Sequence, residues 1–215
     1  SQELGRARAD VLFGDYNPGG RLVHTWPRSI GDLPPLLDYD LRNGRTYQYF
    51  EGEPLFPFGY GLSYTKFAYS RLFTDSVRIA KDAPLRVSCD VTNIGRVTGD
   101  EVVQLYARHL ESVVPRPRQA LVGFRRVEIA PGETKTITFE LLPEQLMHWD
   151  NHLDRWAMEP GPVELRVGRS SAQIELTCKI EAHDVPMNPT SDTERAARPS
   201  MRPNQAPPIR PSQAP

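Results

Sequence analysis

The sequence is poor in cysteine, has no long apolar run and carries almost no net charge. Its 215 residues include two cysteines, and 26 basic side chains nearly balance 27 acidic ones, for a net charge of −1. A nucleic-acid partner needs a basic surface, which this balance does not provide. A membrane-spanning helix needs roughly 18 apolar residues, and a signal peptide needs a basic and then an apolar segment. We therefore expect no nucleic-acid partner and no membrane partner.

The two cysteines do not predict a disulfide. Cys89 and Cys178 each lie on the apolar side of a strand-like alternation, so both are expected to face a core. A disulfide requires Cα atoms within about 7 Å of each other. In a sandwich fold, strands at these two positions usually lie in different sheets. We expect two unpaired cysteines that pack as small apolar side chains.

No pair of carboxylates stands in a catalytic context. Asp100 and Glu101 lie at a predicted strand entrance, and Asp150 and Asp154 lie in a predicted turn, where solvated acidic side chains are common. The sequence also lacks a phosphate-binding glycine loop and a Cys/His cluster. We therefore predict no catalytic residue in this chain and no cofactor.

Two histidines four positions apart would suit a metal only on a helix. His148 and His152 flank the turn dipeptide Asp150-Asn151, and Trp149 and Trp156 stand on either side of the turn. This order is typical of a β-hairpin. We therefore predict a hairpin here and no metal ligands.

What the sequence does contain is a dense aromatic segment. Residues 44–67, GRTYQYFEGEPLFPFGYGLSYTKF, include eight Phe and Tyr side chains. Pro54 and Pro57 fix φ and lack N–H donors, while Gly59 and Gly61 allow backbone conformations that other residues rarely adopt. We predict an irregular loop whose aromatic side chains need another surface to cover them.

This segment closely resembles the signature that precedes the fibronectin type III-like domain of family-3 glycoside hydrolases. Upstream, residues 9–29 resemble the end of the preceding family domain, with a helix that ends at Gly14 and a strand over 21–26. Three downstream segments are also similar: VTNIGRVTGDEVVQLYARH (91–109), LVGFRRVEIAPGETKTITFEL (121–141) and EPGPVELRVG (159–168). The resemblance covers residues 1–181.

The pattern downstream of the aromatic segment predicts a mainly β fold. Apolar and polar residues alternate with a period of two, which places every second side chain on one face of a strand. The apolar positions fall in six runs: 85–91, 103–105, 127–129, 137–141, 163–167 and 174–180. Pro131 and Gly132 form a type II turn sequence between two of them. We predict an antiparallel β-sandwich of the immunoglobulin/fibronectin type III-like class.

The resemblance and the composition together divide the chain into three parts. Residues 1–65 correspond to the C-terminal remnant of the family's α/β sandwich domain plus the signature linker, and residues 66–182 correspond to the fibronectin type III-like domain. Residues 183–215 contain eight prolines and no aromatic side chain. So little apolar surface cannot offset the entropy of the chain, and we predict a disordered Pro/Arg-rich tail.

The resemblance implies the C-terminal, non-catalytic part of an O-glycosyl hydrolase that removes terminal β-linked sugars in carbohydrate catabolism. In this family the catalytic carboxylates lie in upstream domains, so this chain alone is expected to be inactive and to support those domains. The parent would meet the oligo- or polysaccharide substrate, and family analogy makes it secreted or periplasmic. Residues 38–50, DYDLRNGRTYQYF, look more like β-xylosidase than β-glucosidase members.

The alternative is a free-standing β-sandwich module that binds carbohydrate or protein. The loop over residues 55–64 distinguishes the two hypotheses: it stays exposed in part of a larger enzyme and packs onto the sandwich in a self-contained module. Tyr47, Tyr49 and Phe50 are the candidate substrate contacts, because aromatic faces can stack on sugar rings. The opposing hypothesis is that these three side chains seal the joint between domains.

Overall fold

A computed structural model describes residues 3–184, which form one helix, an irregular linker and a β-sandwich. The helix α1 spans Leu4–Phe13, and short 3-10 turns lie at Ile30–Asp32, Leu41–Asn43 and Pro143–Gln145. The strands are β1 Phe67–Thr74, β2 Arg78–Ala80, β3 Leu85–Asn93, β4 Gly99–His109, β5 Ala120–Ile129, β6 Thr134–Leu141, β7 His148–Asp150, β8 Arg155–Ala157, β9 Gly161–Gly168 and β10 Ile174–His183.

Two sheets enclose the core of the sandwich. One sheet has the strand order β1-β3-β6, the other has the order β2-β10-β9-β4-β5, and β7 pairs with β8 in a separate hairpin. All neighbouring strands are antiparallel except β2 and β10. The chain changes sheets between β1 and β2, so β2 meets the last strand while both run in the same direction. The predicted sandwich is confirmed, with this one parallel pair added.

Most of the core consists of side chains that the alternation predicted, and Phe67, Ile79, Leu146 and Met158 join it from outside the predicted runs. In the three-stranded sheet, inward positions of β3 and β6 are at most 6% exposed, and the inward valines and leucines of β4 and β9 in the other sheet are fully buried. The residues concerned are Leu85, Val87, Cys89, Val91, Ile137, Phe139, Leu141, Val103, Leu105, Val163, Leu165 and Val167. Each methylene removed from water in this core stabilises the fold by about 0.8 kcal/mol.

The segment before the sandwich confirms one prediction and corrects another. Helix α1 ends at Gly14, whose φ of 88° is the left-handed conformation that favours glycine. The strand predicted over 21–26 is wrong, because this segment forms an isolated bridge between Trp26 and Phe56 and no ladder. Pro27 and Pro57 follow the two bridge residues, and proline has no N–H with which to extend the pairing.

The predictions for the cysteines and the hairpin are confirmed. Cys89 lies in β3 and Cys178 in β10, so they belong to different sheets, and both are free thiols. Cys89 is buried, whereas Cys178 is half-buried against the core. The turn at Asp150-Asn151 joins β7 to β8 as expected.

The predicted tail falls almost wholly outside the described residues. Strand β10 continues through His183, one residue beyond the predicted boundary, and Lys81 forms an ion pair with Asp184. Residues 185–215, for which we predict disorder, lie outside the part of the chain that the structure describes.

Candidate functional site

An aromatic cluster fixes the linker on the five-stranded sheet. The rings of Tyr47 and Phe58 stack with their centroids 4.4 Å apart, and Tyr47 meets the β4 residue Tyr106 edge-on at 5.9 Å. The Leu121 N–H donates a hydrogen bond of 2.9 Å to the Tyr47 hydroxyl oxygen. Burial raises the pKa of Tyr47. This aromatic residue therefore seals the joint between linker and sandwich.

A buried glutamine binds the backbone of the linker beside this cluster. The Gln104 Nε2 group donates to the Gly59 carbonyl at 3.1 Å and also to the Arg169 carbonyl, while the Tyr106 hydroxyl donates to Gln104 Oε1. Gly59 has a φ of 82°, and a Cβ atom there would lie 2.0 Å from Gln104 Oε1. The linker therefore needs glycine at this position for two reasons, its conformation and its close approach.

An almost fully buried carboxylate makes the next attachment. Glu101 in β4 accepts hydrogen bonds from the Tyr69 hydroxyl at 2.7 Å and from Arg21 Nη2 at 3.0 Å. Burial raises the pKa of Glu101, and both partners act against that shift. The Glu101 carboxylate therefore joins the linker, through Arg21, to both sheets of the sandwich.

A single asparagine makes a further attachment near the start of the linker. Asn17 donates to the Thr98 carbonyl at 3.0 Å, and its side-chain oxygen accepts from the Ser63 hydroxyl and from the Tyr64 N–H. These groups belong to three separate parts of the chain. Residues 17–65 are therefore attached to the sandwich at several points and do not form a loose connection.

Two of the three predicted sugar contacts line an open depression on the linker. Tyr49 and Phe50 border a cavity of about 640 Å³, whereas Tyr47 lies in the joint. Charged side chains complete the walls: Arg28, Asp32, Arg42, Glu51 and Glu53. Carboxylates, guanidinium groups and an aromatic face together can bind a hydroxylated ligand, so this depression is the candidate site.

The other acidic candidates have structural partners. Asp100 pairs with Arg126, and Asp150 accepts hydrogen bonds from the His152 N–H at 2.8 Å and the Leu153 N–H at 3.1 Å. The bond from the Leu153 N–H, followed by the bond from the His152 N–H, lowers the pKa of Asp150. Each carboxylate thus stabilises a turn or a surface pair, which is a sufficient reason for its presence.

One of the hairpin histidines, His148, is engaged by a neighbouring side chain. Arg116 Nη2 lies 3.1 Å from His148 Nδ1, and the same guanidinium pairs with Glu159 at 3.2 Å. Across residues 3–184, no three His, Cys, Asp or Glu side chains converge as metal ligands.

No helix in the same part of the chain is long and apolar enough to cross a membrane. Trp149 and Trp156 meet edge-on on the hairpin, with ring centroids 5.9 Å apart, and are 46% and 61% exposed.

Sequence reasoning missed the buried polar attachments, although one signal was present. Glu101 lies two residues before Val103 in β4, so it occupies the inward face of the alternation, where a charged side chain needs a partner. Gln104 gave no such signal, because its face of the sheet is buried by the linker and not by the other sheet.

Two family models match the chain. Residues 1–64 match the glycosyl hydrolase family 3 C-terminal domain, and residues 101–171 match the fibronectin type III-like domain. These matches follow each other along the chain in the order that the sequence resemblance predicted.

Curated proteins and solved structures are similar over most of this chain. It is 40% identical to thermostable beta-glucosidase B of Acetivibrio thermocellus, over 81% of this chain and 25% of that protein. It is 44% identical to xylan 1,4-beta-xylosidase of Xylanibacter ruminicola, over 81% of this chain and 20% of that protein. The crystal structure of beta-D-glucoside glucohydrolase from Trichoderma reesei matches with a TM-score of 0.77 at 33% identity, over 85% of this chain and 29% of that one.

The matched relatives are much longer than this chain, which spans a quarter or less of these two curated proteins. The two family models, the curated relatives and the matched crystal structure all assign this chain to one region of glycosidases. The chain belongs to the C-terminal part of glycosyl hydrolase family 3, with a fibronectin type III-like domain after the family's C-terminal domain sequence.

Proposed function

We propose that this chain is the non-catalytic C-terminal part of a β-glycosidase, of β-xylosidase or β-glucosidase type, and that it supports the catalytic domains of a longer protein. The relatives named above are glycosidases that share this region. Three carboxylates of this chain already have structural roles: Asp100 and Glu101 form ion pairs, and Asp150 binds the backbone of a turn. In this proposal the catalytic acid and nucleophile belong to the other domains of the longer protein.

The observation that carries this proposal is the position of the exposed apolar side chains. Among the large apolar residues of 3–184 that are more than three-quarters exposed, all but Val113 precede residue 42. They are Leu12, Phe13, Ile30, Leu36, Leu37 and Tyr39. Exposed apolar side chains are typical of surfaces that another protein or domain covers. The partner surface is accordingly a neighbouring domain that covers residues 4–41.

The loop over residues 55–64 supports the same assignment over a free-standing module. Phe58 and Gly59 are fixed on the sandwich, but Leu55 is 48% exposed, Leu62 67% and Tyr64 53%. A self-contained module would bury all of these side chains. The loop is thus anchored at its centre and leaves apolar side chains on either side for a second surface.

For substrate contact we propose Tyr49 and Phe50 at the charged depression. Their rings border a cavity whose acidic and basic side chains can hydrogen-bond to sugar hydroxyls. A role of Tyr47 in sugar binding stays a prediction, because its ring already packs between Phe58 and Tyr106. The sugar and the linkage depend on the catalytic domains.

A chimera tests the proposed function. The matched region of the Acetivibrio thermocellus β-glucosidase would be replaced by this chain, and hydrolysis of aryl β-glucoside and β-xyloside would be measured. We expect the chimera to be active, the truncated enzyme to be inactive and this chain alone to be inactive. Activity in the isolated chain, or a chimera no more active than the truncated enzyme, would contradict the proposal.

A further inference from the structure

A second cavity lies between the linker and strands β4 and β9, next to the charged depression, with which it shares the lining residues Phe50, Glu51 and Gly52. Its volume is about 250 Å³, below the roughly 300 to 1,000 Å³ of pockets for drug-sized ligands, so it suits a ligand of monosaccharide size. The linker contributes Thr25, Phe50 and Glu51, and the sandwich contributes polar side chains that the next paragraphs describe.

Three arginines converge on this cavity. Arg108, Arg118 and Arg166 all line it, and they come from β4, from the segment before β5 and from β9. Burial lowers the pKa of Arg166; the charge of Glu164 opposes this shift, while the charges of Arg108 and Arg118 add to it. Two carboxylates, Glu164 and Glu51, are nearby, so one positive charge remains in excess.

The arginines differ in how far they are already engaged. Arg166 donates to Gln119 at 2.6 Å, and Arg118 donates to the Phe50 carbonyl at 2.8 Å. Within residues 3–184, the Arg108 side chain makes no ion pair or hydrogen bond. Its guanidinium group therefore has its full set of donors available to a ligand.

Two buried polar atoms at the cavity lack a hydrogen-bond partner among the described residues. They are Thr25 Oγ1 and Arg166 Nε, which lies 3.3 Å from Glu164 Oε2 without hydrogen-bond geometry. Buried polar groups in folded proteins are nearly always hydrogen-bonded. Because one of these atoms comes from the linker and the other from the sandwich, a single ligand in the cavity can satisfy both.

We propose that this cavity binds a sugar acid, with the ligand carboxylate held by Arg108 and Arg166 and its hydroxyls held by Thr25 and Glu51. Guanidinium groups bind carboxylates through paired, charge-assisted hydrogen bonds. Phe50 supplies an apolar wall beside these polar groups. The site lies wholly within residues 3–184 and does not depend on the catalytic role of a longer protein.

The test is calorimetric titration of the 215-residue chain at fixed ionic strength with D-glucuronate, D-glucose and sulfate. We expect saturable glucuronate binding, no glucose binding and displacement of glucuronate by sulfate. Arg108→Gln should weaken glucuronate binding about tenfold, because it removes a charge-assisted bond. Arg125→Gln is the matched control, because Arg125 is also exposed, lies on β5 and does not line the cavity.

The outcomes separate clearly. Binding of sulfate in competition with glucuronate would show that the oxyanion is recognised, and a tighter glucuronate complex would show that the hydroxyls are recognised as well. Unfolding midpoints of both variants serve as the check on folding. Absence of saturable glucuronate binding, equal affinity for glucose, no competition by sulfate, or equal effects of the two substitutions would overturn the proposal.

Discussion

Arg21 and Glu101 form an ion pair across 80 positions of sequence, with side chains that are 11% and 2% exposed. Arg21 belongs to the linker that matches one family model, and Glu101 is the first residue of the segment that matches the other. Tyr69 donates a second hydrogen bond to the same carboxylate. The pair therefore holds the two matched regions together, and its loss should destabilise the contact between linker and sandwich.

Glu101→Gln is expected to lower the free energy of unfolding by about 2 to 4 kcal/mol, because the Arg21 charge would stay buried without its counter-ion. Urea denaturation measures this loss. Asp100→Asn is the control, since Asp100 and its partner Arg126 are 20% and 54% exposed and a surface pair contributes at most about 1 kcal/mol. Equal losses in the two variants would contradict a special role for the buried pair.

Gly59→Ala should destabilise the joint more than an ordinary glycine substitution. The alanine would have to adopt a positive φ, and its Cβ would lie 2.0 Å from Gln104 Oε1. We expect a loss of about 2 to 3 kcal/mol in thermal or urea unfolding. Gly132→Ala is the matched control: its φ is 76°, but nothing lies within 4 Å of its Cβ, so it reports conformational strain of about 1 kcal/mol. Identical losses would show that the close approach is unimportant.

Stability should fall as the solution is made mildly acidic because of His109. Burial, followed by the charge of Arg116, lowers the pKa of His109 from 6.5 to about 4, with Glu159 acting in the opposite direction and His148 adding to the decrease. The native histidine thus stays neutral at pH 5, whereas the unfolded chain binds a proton below pH 6.5. Stability present above pH 6.5 is therefore lost on the way down to pH 4.

Between pH 6.5 and pH 5 the lowered pKa of His109 would reduce the free energy of unfolding by about 2 kcal/mol if the side chain were fully buried. Because His109 is partly accessible to solvent, we expect a reduction of about 1 kcal/mol. Urea unfolding at the two pH values measures the difference. His109→Gln should remove most of the dependence, whereas His24→Gln, at an exposed linker position, should leave it unchanged. If the pH dependence of stability persists in the His109 variant, it arises from other titratable groups.

The combined substitution Leu36→Ser and Leu37→Ser should make the isolated chain less adhesive without unfolding it. These side chains are 84% and 81% exposed, so their removal should change the free energy of unfolding by less than about 0.5 kcal/mol each. Binding of a hydrophobic dye and self-association should both decrease. Val113→Ser is the control, since Val113 is 96% exposed on the sandwich, far in sequence from the proposed interface. An equal decrease in this control would argue against a localised interface.

The strands could be predicted from the sequence because their alternation is local. A pleat places residues i and i+2 on one face, so Leu85, Val87 and Cys89 had to share a side that needs burial. The strand predicted over 21–26 failed for one local reason, Pro27 directly after it, and for one non-local reason. The segment that pairs with it contains Pro57, which has no N–H to donate. The sequence around residues 21–26 does not show that this segment is the partner.

The amino-acid sequence was sufficient to predict the fold class, the helix end at Gly14, the hairpin at Asp150-Asn151 and the family signature. These features depend on residues that are close in sequence and have fixed local geometry. The packing of distant segments was needed to show that both faces of β4 are buried, that Gln104 binds Gly59 and that three arginines line one cavity. Such features join residues tens of positions apart. The periodicity of a sequence shows which side of a strand is apolar, but it does not show which distant segment packs against that side.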